Sequence, residues 1–150
     1  MTLALRGEAA EVALGEAQAV LALVQDDERR GRLADLVAAV QDGELDDDDA
    51  QALEELIELG LTTGRIRSVY GPGGEQAALK TYRRLPRGRE LAASAREVTD
   101  ALEALEGKLL ERVHVQPAGP GAFVVTLAVE GLELSVRLDG AGARIHSVGV

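Results

Sequence analysis

Residues 64–89 gather the side chains best suited to gripping an anion: Arg65, Arg67, Lys80, Arg83, Arg84, Arg87 and Arg89, with Tyr70 and Tyr82 between them. Guanidinium and ammonium groups pair with phosphate or carboxylate, and tyrosine rings offer a face for stacking. Against seven bases this stretch has one acid, Glu75, a net +6 in a chain of formal net charge -10. The opposing charge lies upstream, where residues 1–63 carry four bases and sixteen acids, concentrated at Asp46, Asp47, Asp48, Asp49, Glu54, Glu55 and Glu58. Surfaces of opposite sign in one chain are complementary, within a subunit or between subunits, and such surfaces steer association. The expectation is a non-enzymatic protein-protein interaction or assembly module, with a second copy or another protein as partner. The alternative is a nucleic-acid-binding accessory protein using the tyrosine-containing basic segment. It ranks second because the acidic neighbour repels a polyanion, and because about fourteen residues separate Gly60 from the next expected helix, too many for a helix-turn-helix.

Other chemistries find less support. Gly71-Pro72-Gly73-Gly74 precedes an expected helix, and free N–H groups at a helix start attract anions. A dinucleotide fingerprint requires glycine where Gln76 stands, and a Walker loop requires a Gly-Lys-Ser/Thr ending that is missing. The run from Asp42 to Glu55 invites an EF-hand reading, but with Gly43 as the loop glycine the first two ligand positions fall on Ala38 and Val40. Its aspartates read better as the start of a helix, where the macrodipole favours acids. His114 and His146 sit on expected strands without a clear third ligand. Ser94 and Ser135 lie within a helix and a strand, away from any nucleophile-elbow motif. We therefore expect no catalytic residues, no metal and no cofactor.

The elements that must position these residues follow from composition and period. With 150 residues, 46% hydrophobic and 28% charged, the chain can bury a core, and its composition is that of a soluble globular protein. Only Tyr70, Tyr82 and Phe123 are aromatic, so the core is aliphatic. There is no cysteine, which excludes disulfides and thiolate chemistry. Glu8, Glu11 and Glu16 interrupt the apolar N-terminal stretch, so it does not read as a signal peptide, and no run approaches the roughly 18 apolar residues of a membrane span. The expected location is the cytoplasm, with no membrane partner.

From Leu3 to Val24 the spacing of Ala10, Ala13, Ala17, Val20 and Val24 predicts a helix with a small-residue stripe. A second helix, capped by Asp26 or Asp27, carries Leu33, Leu36, Val37 and Val40 and stops at Asp42-Gly43, forming a helical hairpin with the first. A third starts near Asp46, buries Leu53, Leu56 and Ile57, and ends at Gly60. The basic stretch reads as a short strand, Arg65–Tyr70, followed by a helix from Gly74 to Leu85. Residues Arg89 to Leu110 form a long helix whose seam, Leu91, Ala95, Val98, Leu102, Leu105 and Leu109, fits either a sheet or a coiled-coil partner. Beyond Arg112 the period becomes two, with turns at PAGPG, EG and DGAG, which predicts an antiparallel meander of three or four strands. The sequence thus describes an α+β chain: an N-terminal helical region, 1–86, then a long helix packed on a C-terminal meander, 87–150.

Overall fold

In the computed structural model, which describes residues 2–150, the chain opens on a strand rather than a helix. Leu3 and Leu5 are buried while Ala4 and Arg6 are exposed, the two-residue alternation of extended backbone. The strand β1 (Leu3–Ala4) pairs antiparallel with β2 (Glu44–Leu45). The helix expected from Leu3 begins only after Gly7, whose φ of 59° ends the extended segment. α1 (Glu8–Leu21) then buries Val12, Ala13 and Ala17, so the small-residue stripe faces the core as expected.

α2 (Asp27–Asp42) is capped by Asp26, whose carboxylate accepts from Arg29 N at 2.8 Å, and it stops at Gly43 in the left-handed region, φ 82°. α3 (Asp47–Thr62) begins with a reciprocal capping box: Asp46 accepts from Asp49 N, and Asp49 accepts from Asp46 N. α3 does not end at Gly60. It continues to Thr62, because Gly60 is a packing position: Ile66 lies where a side chain would be. Gly64, φ 75°, makes the turn instead. Leu36, Leu45, Leu53, Ile57, Ile66 and Leu85 are the largest fully buried side chains here, each stabilising the unit by about 1.5–3 kcal/mol.

α4 (Arg65–Tyr82) replaces the expected strand from Arg65 to Tyr70, so two residues, not fourteen, separate it from α3. The alternation in RIRSVY is accidental: Ile66 alone of its apolar residues is fully buried, while Val69 is exposed. Gly71 adopts φ 74°, ψ -175°, which kinks the element, and Pro72 starts its second half. That half ends at Tyr82, and α5 (Pro86–Leu102) begins with proline where a missing N–H costs nothing. Gly88, in the first turn of α5, is required where that helix meets the end of α4, since a methyl group there would overlap the Tyr82 carbonyl oxygen.

The chain divides into two compact units, and the border falls inside α5, between Arg89 and Glu90. In the second unit α5 stops at Leu102 and a 3-10 turn covers Glu103–Leu105, short of the helix expected to Leu110. Leu105 has by then reached Val129 and Leu134 in the core, and Gly107, φ 74°, turns the chain toward the sheet. Leu102 and Leu105 pack with Leu127, Val129, Leu132 and Leu134, so this part of the seam serves the sheet. Ala95 is exposed, and Leu109 lies beyond the helix and is 84% exposed.

β3 (Leu110–Gly119), β4 (Ala122–Val129), β5 (Leu132–Asp139) and β6 (Gly142–Gly149) form a four-stranded antiparallel meander in sequence order. Val113, Leu127, Leu134 and Val148 share one register row, and Val115, Val125, Val136 and Ile145 the next, all on the face that α5 approaches. The opposite face carries Arg112, His114, Glu133 and Arg137. Ser135 on that face is nevertheless buried, its hydroxyl satisfied by that of Thr126 at 3.0 Å.

Candidate interaction surfaces

The kink in α4 and the turn before α5 spread the basic residues over two helices, and the first effect is internal pairing. Arg65 Nε donates to both oxygens of Glu16, at 3.1 and 3.2 Å. Glu16, on α1, is nearly sealed from solvent, its side chain 4% exposed against 43% for Arg65. The Tyr70 hydroxyl lies over Gly15 and feels the charge of the same carboxylate. Burial, then the charge of Glu16, push the Tyr70 hydroxyl above its ordinary range, with Arg65 opposing in part.

A second latch forms around the start of α5. Arg87 N donates to Glu54 Oε2 at 2.7 Å, and its guanidinium pairs with Glu58 at 3.4 Å. Tyr82 donates to Glu58 Oε2 at 3.4 Å. Its hydroxyl too is raised, first by burial and then by the negative charge of Glu58. Arg67 pairs along α4 with Glu75 at 3.3 Å.

Four cations of the basic set remain. Like Arg65, Arg67 and Arg87, these four (Lys80, Arg83, Arg84 and Arg89) are exposed, and among the described residues Lys80, Arg83 and Arg84 have no ion pair. Of the acidic set, Glu54 and Glu58 are spent in the second latch, while Asp46 and Asp49 cap α3. Asp47, Asp48 and Glu55 are exposed. Asp46, Asp48, Asp49 and Glu55 line a cleft of about 580 Å³ together with Arg32 and Asp35 of α2. Asp49 is held above the usual carboxylate range, chiefly by partial burial and also by the charge of Asp46, against the backbone hydrogen bond that lowers it. The structure therefore brings Arg65 with Tyr70, and Arg87 with Tyr82, Glu54 and Glu58, and leaves Lys80, Arg83 and Arg84 as an open cationic group.

The serines are structural. Ser94 Oγ donates to Leu91 O at 2.9 Å and accepts from Ala143 N at 3.4 Å. His114 and His146 are exposed, His146 at the bulge in β6 where the register with β5 shifts. Among the described residues no three His, Cys, Asp or Glu side chains come together as a metal site, and no helix is long and apolar enough to cross a membrane.

Sequence reasoning missed Glu16, although a signal was present. Glu16 stands three residues after Ala13 and four before Val20, inside the apolar arc of α1, where a charge needs a partner. Glu54 is likewise four after Ala50 and three before Ile57. Compared with known proteins, the chain matches no family model, no curated protein and no solved structure.

Proposed function

We propose that the chain is a non-enzymatic protein-interaction module whose helical unit meets an acidic protein surface through Lys80, Arg83 and Arg84. The observation that carries this reading is the division among the basic residues. Arg65, Arg67 and Arg87 are satisfied by Glu16, Glu75 and Glu58, whereas three cations at the end of α4 have no ion pair among the described residues. Exposed charges of one sign accelerate encounter with the opposite sign and suppress wrong partners. The acid-lined cleft between α2 and α3 belongs to the same unit, so a second copy of the chain carries the required chemistry. A head-to-tail contact of that kind follows from two different surfaces meeting.

The competing nucleic-acid reading is less favoured for stacking, since the Tyr82 hydroxyl is bonded to Glu58, that of Tyr70 lies over Gly15, and both rings are half-buried. Light scattering of the full chain across a salt series tests the proposal. The expected result is an associated species at low salt that dissociates as salt rises and is lost in the Arg83→Glu/Arg84→Glu variant. Identical mass for the two proteins at low salt overturns it.

A further inference from the structure

A four-stranded sheet is wider than one helix. Strands lie about 4.8 Å apart, so four span roughly 15–19 Å, whereas a helix with its side chains is about 10 Å across. α5 therefore covers only part of the apolar face. Its contacts run from Leu91 and Ser94, beside Gly142, to Leu102 and Leu105, against Val129 and Leu134. On the β3 side of that line the face stays open. Leu110, Val113, Val115 and Phe123 are 50%, 51%, 60% and 47% exposed, and by register they continue the rows of Val129, Leu127, Val125 and Leu138. A groove of about 420 Å³ lies between α5 and these strands, with Leu102, Leu105, Leu110 and Leu127 as its apolar lining and Glu103, Glu106 and Lys108 as its charged lining. The open strip is about 20 Å long, close to four turns of helix.

Charge says what kind of partner fits. Residues 90–150 carry nine acids and five bases, and the whole net -4 falls within residues 97–111, where Glu97, Asp100, Glu103, Glu106 and Glu111 face one base, Lys108. Of these, Glu103, Glu106 and Lys108 line the groove, while Glu97 and Asp100 lie on α5 leading to it and Glu111 on β3. Elsewhere in the unit the sheet's arginines are paired, Arg112 with Glu133, and Arg137 and Arg144 with Asp139.

We propose that this groove docks an amphipathic helix of a partner protein, apolar along one face and basic along its flanks. The apolar strip supplies burial, and Glu103 and Glu106, backed by the acids of the same stretch, supply selectivity, the usual division of labour when a helix lies in a groove. A second copy of the chain fits worse, since joining this face to itself sets one acidic stretch, residues 97–111, against another. The surface is built from residues 90–150 and includes none of Lys80, Arg83 and Arg84, so its failure and that of the helical unit's role are distinguishable.

The test is fluorescence anisotropy with the full chain and a labelled leucine-lysine peptide of about 16 residues, leucines at i, i+3, i+4 and i+7. A leucine-glutamate peptide of the same pattern is the control. Saturable binding of the first and none of the second is expected. Val115→Asp, and separately Glu103→Lys/Glu106→Lys, should each weaken binding at least tenfold. Asp48→Lys/Glu55→Lys, in the cleft of the helical unit, should leave it within twofold. Far-UV circular dichroism checks that each exposed-site variant is folded. Absence of binding, equal binding of both peptides, or retention by folded Val115→Asp and Glu103→Lys/Glu106→Lys overturns the proposal, as does a dimer that Val115→Asp dissociates.

Discussion

Replacing Arg65 by methionine keeps much of the apolar stem and removes the charge that holds Glu16. The cost can be bounded from exposure. An ion pair at the surface contributes about 0–1 kcal/mol, and unpairing a fully buried one costs about 3–5 kcal/mol. Here the carboxylate is buried and the guanidinium is 43% exposed, so the loss should lie between, about 2–3 kcal/mol at neutral pH. For a unit of this size, which ends at Arg89, that corresponds to a fall in Tm of about 10–20 °C. Both tyrosines lie in the helical unit and none in the other. Tyrosine fluorescence during urea denaturation therefore reads this unit alone. Removing both charges, in Glu16→Leu/Arg65→Met, should recover most of the loss, because an apolar pair of similar volume no longer leaves a bare carboxylate in the core. A loss under about 0.5 kcal/mol in the single variant, or a double variant no more stable than the single, would refute the account of Glu16 as a buried charge neutralised by Arg65.

Gly60→Ala should destabilise the same unit by about 1–3 kcal/mol, although alanine is the better helix former, because the new methyl would sit 2.7 Å from Cγ1 and Cδ1 of Ile66. A raised urea midpoint would remove that packing argument. Tyr70 and Tyr82 should ionise above the ordinary value of about 10 in an ultraviolet titration. Because the fold favours the neutral hydroxyls, their contribution is complete below that value and is lost as pH rises through the raised folded values. The urea midpoint should accordingly fall in strong alkali, and fall less in Tyr70→Phe; two tyrosines titrating at the free value would contradict it.

Where a residue's period and its turn chemistry agree, the sequence was sufficient. Asp26 and Asp46 stand as caps, Leu33, Leu36 and Val40 face inward, and the glycine turns divide the last forty residues into strands as expected. The failures have separate physical causes. β1 and β2 are two residues each, too short for any period to emerge, and they exist because they pair with each other across the helical unit. RIRSVY alternates like a strand, but Gly64 and Gly71 are the positions that define it, one turning the chain into α4 and the other kinking it. Gly60 looked like a stop because glycine ends helices, whereas tertiary packing against Ile66 is what selects it. The charge segregation was legible as composition. Its partition into latched and open residues was not, because Arg65 meets Glu16 across 49 positions, a pairing that only the packing of α1 on α4 creates.

The hydroxyl pair at the centre of the sheet has a consequence for how β4 and β5 find each other. Thr126 and Ser135 are direct partners in the ladder, and each is 5% exposed. Sliding one strand by a single residue would turn one hydroxyl toward the aliphatic side and strand the other against carbon, forfeiting a bond and leaving two polar atoms dry. The two positions should therefore behave as one heritable unit: valine at either alone is penalised, whereas an aliphatic exchange at both is tolerated but surrenders the mark that distinguishes the correct alignment from its neighbours.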